Sequence, residues 1–204
     1  MMKQIQISPP RASKEAWDAA EVLFTELLET IGYGPDTSQH LEETPRRYMG
    51  MLHELFSDEP WTFTTFNNPQ AEPGQEGDCG IVVIRDISFT SLCAHHFAPF
   101  FGKAHVAYVP DRLLPGLSKI ARTVHSFSRG PQVQEDITRN IADFLVEKLH
   151  PIGVLVVLDA EHTCMTHRGV KAHGTSTVTS AVRGALFEDP RARIEAFDLL
   201  RLDR

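Results

Sequence analysis

A thiol and two adjacent imidazoles stand within four positions, Cys93-Ala94-His95-His96, directly after a run that reads as a buried strand. A second cluster, Glu161-His162-Thr163-Cys164, follows another short apolar run, Gly153 to Leu158. Six of the ten histidines fall in the windows 95–105 and 162–173, a concentration that core packing alone does not explain. If the two clusters serve one site, two strands far apart in sequence must end side by side. That requirement narrows the possible folds more than any other feature of the chain.

Cys93 and His96 are spaced so that both can reach one metal ion, with Cys164 as a third ligand. Three protein ligands leave the fourth tetrahedral position of Zn²⁺ to water, the catalytic arrangement, whereas four close a structural site. Cys79 is the candidate fourth ligand, but its loop position, far from any paired spacing, favours a spare thiol. The spacing leaves a second reading open, in which Cys93 and Cys164 are small buried hydrophobes. The histidines would then be surface residues or hydrogen-bonded core. On an extended backbone His95 points away from its neighbours and stays free for proton chemistry.

The totals exclude several classes. A length of 204 residues fits one ordinary domain with a helical extension, and 42% apolar residues suffice for a core. No run approaches the ~18 apolar residues of a membrane span. The N-terminus lacks the apolar segment of a signal peptide. Three cysteines, two of them close to histidines, suit a cytoplasmic thiol or metal protein better than a disulfide scaffold. A net charge of -7 argues against general nucleic-acid or membrane binding. A local basic pocket for an anionic small molecule remains compatible with it.

Residues 1–12 read as a flexible arm and 13–60 as a helical region. Ser13 is placed to cap a helix carrying Trp17, Phe24, Leu27, Leu28 and Ile31 at helical spacing. Thr44-Pro45 opens a second helix, with Thr44 as its cap. A long loop follows from Ser57 to Gly80, with an extended piece at Trp61–Phe66. The catalytic domain is expected over 80–204. Strands begin at Ile81 and cover Phe101–Val109, and helices cover Gly116–Phe127 and Gln134–Leu149. Strands at Gly153–Leu158 and Thr175–Phe187 and a helix from Pro190 complete the chain. This order predicts an α+β fold: an antiparallel four-stranded sheet with two helices on one face, plus the N-terminal helical extension.

Two further stretches suit ligand recognition. Gly116-Leu117-Ser118-Lys119-Ile120-Ala121-Arg122 opens a helix whose N–H groups, Ser118 hydroxyl, Lys119 and Arg122 can hold a phosphate. An ordinary solvated helix face fits these residues as well. Arg168 and Arg46-Arg47 are weaker phosphate partners. Gln134-Glu135 begins the next helix, and a carboxylate there matches the N1–H and N2–H₂ donors of guanine. An acid complementing the helix dipole is the plainer reading of Glu135.

Taken together, TPRR (44–47), RDISFTSLCAHHFAPFFGKAHVAYVP (85–110), GLSKIAR (116–122), PQVQE (131–135), EHTCMTHRGV (161–170) and TSTVTS (175–180) resemble the GTP cyclohydrolase I family. The resemblance extends over about residues 13–202. It implies a tunnelling fold and a ring-shaped homo-oligomer, usually a decamer, with active sites at subunit interfaces. It implies Zn²⁺ on Cys93, His96 and Cys164, catalytic roles for His95 and His162, and triphosphate contacts from Lys119, Arg122 and Arg168. Arg47 would come from a neighbouring subunit. Ser118 would lie near the ribose and phosphate, and Gln134 with Glu135 would anchor guanine.

The implied reaction is hydrolysis of GTP with opening of the purine imidazole ring. Formate is released and the ring expands to 7,8-dihydroneopterin triphosphate, a step of pterin and tetrahydrofolate biosynthesis in one-carbon metabolism. The chain departs from the family at Ala94, where glutamate is common, and at Asp136, where arginine is common. It departs also at His167, a possible competing ligand, and at Thr175, a common serine. A divergent member serving a deazapurine or pterin secondary pathway, or a non-catalytic oligomeric zinc protein, are the alternatives. Cys79→Ser separates an open from a closed site: zinc content measured by elemental analysis is expected to stay unchanged.

Overall fold

The computed structural model describes residues 12–58, 60–71 and 80–201. Cys79 and all but Ala12 of the expected arm lie outside these residues. The chain divides into two compact units, Met1–Glu59 and Pro60–Arg204.

In the first unit, α1 spans Lys14–Thr30, and the Ser13 side chain accepts a hydrogen bond from the Ala16 amide at 3.3 Å. That bond satisfies one of the N–H groups that a helix start leaves without an internal partner. Helix α2 covers Thr44–Phe56, with Pro45 in its first turn. Glu43, not Thr44, takes the cap position, so the helix starts one residue earlier than the sequence suggests. Aromatic contacts join the two helices: Phe24 stacks on Tyr48 at 4.4 Å, and Trp17 meets His53 edge-on at 5.3 Å.

The second unit is α+β. A small antiparallel pair joins β1 (Thr65–Asn67) to β4 (Leu113–Pro115), separated in sequence by β2 (Val82–Cys93) and β3 (Pro99–Val109). Helix α3 (Leu117–Phe127), strand β5 (Pro131–Gln132) and helix α4 (Gln134–Leu149) follow. Then come β6 (Gly153–His162), α5 (Thr163–Thr166), β7 (Thr177–Gly184), α6 (Ala185–Glu188) and α7 (Pro190–Arg201). The main sheet runs β5-β2-β3-β6-β7. It has five strands where four were expected, because β5 adds in parallel beside the end of β2, pairing Cys93 with Gln132. A strand of two residues has no hydrophobic period, so the sequence does not reveal it.

The continuous apolar run of β6 reflects cover on both faces. Val156 and Leu158 pair with Ala181 and Thr179 on the face that carries α4, whose stripe of Ile137, Ile141, Leu145 and Leu149 is buried. Helix α3 lies beside α4, with Phe127 against Phe144 at 5.6 Å. The opposite face is not left open: Ala107 and Leu155 pack with Leu186 of α6 and Ala196 of α7. Among the described residues no helix is long and apolar enough to cross a membrane.

Strand β3 is central to the site. It pairs Leu92 with Pro99 on one side and Phe100 with His162 on the other. Gly102 permits this pairing, because a Cβ there would lie 2.0 Å from the Asp159 carbonyl oxygen. Gly102→Ala is therefore expected to lower unfolding stability by about 1–3 kcal/mol or more, read from urea denaturation.

Candidate metal and catalytic site

Strand β2 ends at Cys93, and the chain turns at once. The Cys93 carbonyl accepts from the amides of His96 (3.2 Å) and Phe97 (2.8 Å), while the Cys93 amide donates to Ala98 at 2.8 Å. Phe97 takes a left-handed conformation with φ 52°. The Ala94 amide donates to Gln132 of β5 at 3.0 Å, tying the turn to the sheet edge. This tight turn folds His96 back over Cys93, with Nδ1 3.8 Å from Sγ.

The same turn corrects the expectation for His95. The backbone is not extended there, and His95 does not point away: its Nδ1 lies 3.7 Å from the Cys93 sulfur. The two imidazoles stand at a steep angle, 70°, with ring centres 6.2 Å apart.

Cys164 arrives from the other end of the sheet. Strand β6 extends four residues beyond the apolar run seen in sequence and ends at His162, opposite Phe100. Helix α5 then begins, pinned by the Thr163 hydroxyl donating to the Pro99 carbonyl at 2.6 Å. Its second residue is Cys164. The ligand atoms of Cys93, His96 and Cys164 all lie within 4.8 Å of one another. Two thiols and one imidazole form a soft, nitrogen–sulfur donor set that suits zinc. Burial pushes the Cys164 thiol up, and the neighbouring Cys93 adds to the shift, while a backbone hydrogen bond and Arg168 oppose it.

His162 sits beside this group and is held on two sides. Its ring lies parallel to that of the fully buried Phe100, 4.4 Å away and tilted by 7°. Its Nε2 is 2.7 Å from Oε1 of Gln134. Burial lowers the His162 pKa from the ordinary histidine value, and the Glu135 carboxylate partly opposes this. Sequence reasoning did not single out Phe100 or Thr163, although both lie in the segments around the ligands.

Gln134 is 1% exposed, whereas Glu135 faces solvent. On α3, Ser118 and Arg122 are exposed and Lys119 is half-buried, with its ammonium 5.9 Å from the Trp61 ring. Arg168 is exposed on the loop after α5. Arg47 is exposed on α2 of the first unit. His167 does not join the thiols: its Nδ1 lies 2.8 Å from the Thr166 hydroxyl. Asp136 pairs with Arg139 on its own helix, and the Thr175 hydroxyl donates to the Ala172 carbonyl at 2.8 Å.

The family model for GTP cyclohydrolase I matches residues 20–201. The chain belongs to the GTP cyclohydrolase I family. A GTP cyclohydrolase 1 from Clostridioides difficile (strain 630) is 47% identical over 183 residues, covering 87% of this chain and 92% of the relative. A GTP cyclohydrolase 1 from Halalkalibacterium halodurans is 47% identical over 180 residues, with 86% and 92% covered. One from Listeria monocytogenes serovar 1/2a is 45% identical over 180 residues, with 86% and 91% covered. Among solved structures, the apo form of the archaeosine synthase QueF-Like aligns with a TM-score of 0.44 and 14% identity. That alignment covers 52% of this chain and 95% of the other, and is too weak to bear on function. The GTP cyclohydrolase I family is an enzyme family, which favours the catalytic over the purely structural reading of the cysteines and histidines.

Thiols must lose their protons to bind metal, and the raised Cys164 makes that loss harder at low pH. Zinc added to the protein should therefore bind less tightly as the pH drops from about 7.5 to about 5.5, read by equilibrium dialysis at one buffered free-zinc concentration. Cys164→Ala should abolish stoichiometric zinc binding by elemental analysis, at any pH in that range.

Proposed function

We propose that this chain hydrolyses GTP, opening the imidazole ring of the purine, releasing formate and reclosing the product as 7,8-dihydroneopterin triphosphate. The observation that carries the reading is the convergence of a Cys-His-Cys group, His95 and His162 at one end of the sheet. Membership of the family supports the same reading. Zinc held by Cys93, His96 and Cys164 would supply Lewis acidity, which brings the ionisation of water from ~15.7 towards ~7.

The chain's own residues divide the remaining work. Glu135, exposed at the start of α4 next to the residue that holds His162, accepts the N1–H and N2–H₂ of guanine. Ser118, Lys119, Arg122 and Arg168 take the ribose and triphosphate, joined by Arg47 of a neighbouring subunit. Fixing both ends of the substrate holds C8 of the purine at the thiol group, so that orientation rather than encounter limits the reaction.

His162 transfers a proton to N7 as water adds to C8, which prevents negative charge from building on the opening ring. The imidazole, disfavoured by burial in its charged form with Glu135 partly opposing, leans to the neutral state. It takes the proton that water releases on adding to C8 and passes that proton to N7. His95, beside the Cys93 sulfur, assists proton movement as the ring opens and formate leaves.

We assign residues 80–204 to the tunnelling fold and the chain to a cytoplasmic homo-oligomer, usually a decamer in this family, with sites completed between subunits. The product feeds tetrahydrofolate formation. Incubation of zinc-loaded protein with GTP should yield formate and a pterin that fluoresces after oxidation, and absence of both would refute the activity. His162→Ala is expected to keep its zinc and lose about 10²–10⁴-fold in turnover.

A further inference from the structure

Gln134 lies at the first turn of α4, but its side chain is spent inside the protein. The side-chain amide nitrogen is 3.2 Å from the Leu158 carbonyl, 2.9 Å from the Thr177 carbonyl and 3.1 Å from the Thr179 hydroxyl. A backbone carbonyl can only accept a hydrogen bond. The atom facing Leu158 and Thr177 is therefore the NH₂ group, and the opposite orientation would set three oxygens against each other.

The hydroxyls close the circuit. Thr138 donates to the Gln134 backbone carbonyl at 2.8 Å, which uses its one proton. Thr179, 2.6 Å from the Thr138 oxygen, must then donate to it. The Thr179 oxygen is left to accept from the Gln134 amide. Each hydroxyl proton in the chain Thr179–Thr138–Gln134 has one place to go, and the two amide hydrogens are shared among three acceptors.

This leaves Oε1 of Gln134 facing Nε2 of His162 at 2.7 Å. An amide oxygen accepts only, so a neutral His162 must carry its proton on Nε2. The other tautomer would oppose two lone pairs inside the protein, with the amide oxygen left unsatisfied. Phe100, parallel to the ring at 4.4 Å, fixes its plane.

We propose that Gln134 is a positioning residue that locks His162 in the Nε2–H tautomer, so that Nδ1 is the nitrogen presented to the substrate. The lock rests on the cyclohydrolase reading for its purpose, not for its geometry. It also removes Gln134 from base recognition, because both amide hydrogens are committed to the sheet and Thr179. Glu135, one residue on and turned about 100° around the helix to solvent, is left to meet guanine.

The test separates the lock from the activity. Zinc-loaded protein labelled with ¹⁵N-histidine is compared with His162→Ala by solid-state NMR, so that the lost signal is that of His162. The expected pattern is a protonated Nε2 and an unprotonated Nδ1 in the wild type; a protonated Nδ1 with a bare Nε2 overturns the proposal. Gln134→Met, close in shape but without donor or acceptor, is expected to keep zinc. It should lower kcat by about 10–100-fold while KM for GTP moves less than about 2-fold. A raised KM with unchanged kcat would make Gln134 a base contact and overturn the lock. If the variant does not fold, the wild-type spectrum alone decides. Failure of the cyclohydrolase reading would show differently, as no formate from the wild type.

Discussion

The backbone pairing that holds β3 between β2 and β6 is the constraint on which the site depends. One register sets Leu92 opposite Pro99 and Phe100 opposite His162, so the chain segments bearing Cys93 and Cys164 emerge at the same end of the sheet. Side chains alternate along a strand, so a slip of one residue would turn Phe100 and His162 to the wrong face. The register is in turn protected by bulk: Leu158 and Val156 pack under α4, Leu155 under α6 and α7, and no exposed face remains towards which β6 could shift without cost.

Within that frame the metal group is assembled from three kinds of backbone. Cys93 is the last residue of a strand, His96 lies in a tight turn, and Cys164 lies in a four-residue helix. Each is held by hydrogen bonds of the main chain or of Thr163. Burial then leaves Cys164 reluctant to ionise and His162 reluctant to take a proton, and both effects arise from desolvation of a charged form. A cation among the thiols would offset the first. For His162, burial favours the neutral over the charged imidazole.

The departures from the family pattern are absorbed locally. Asp136 is neutralised by Arg139 one turn along α4, and its charge also complements the start of the helix. His167 is turned towards Thr166 and lies 3.7 Å from the Glu161 carboxylate, outside the sulfur group. Ala94 is exposed at the turn, and its backbone amide does the holding through Gln132.

Much was legible in the sequence because it is written in local pattern. The apolar stripe of Gln134–Leu149, the run at Gly153–Leu158 and the Cys-x-x-His spacing each follow from periodicities of a few residues. They were enough to name the α+β class and the pair Cys93 and His96, while the resemblance of the longer motifs to the family was what singled out His95 and His162 as catalytic. What the tertiary structure alone decided was orientation. The turn at Cys93, rather than an extended chain, brings His95 to the thiol. The pairing of Cys93 with Gln132 creates a fifth strand from two residues. Gln134 and Glu135, adjacent and both polar, look alike in sequence, and only the carbonyls of Leu158 and Thr177 draw one inward. Those partners lie 24 and 43 residues away, beyond the reach of any local pattern.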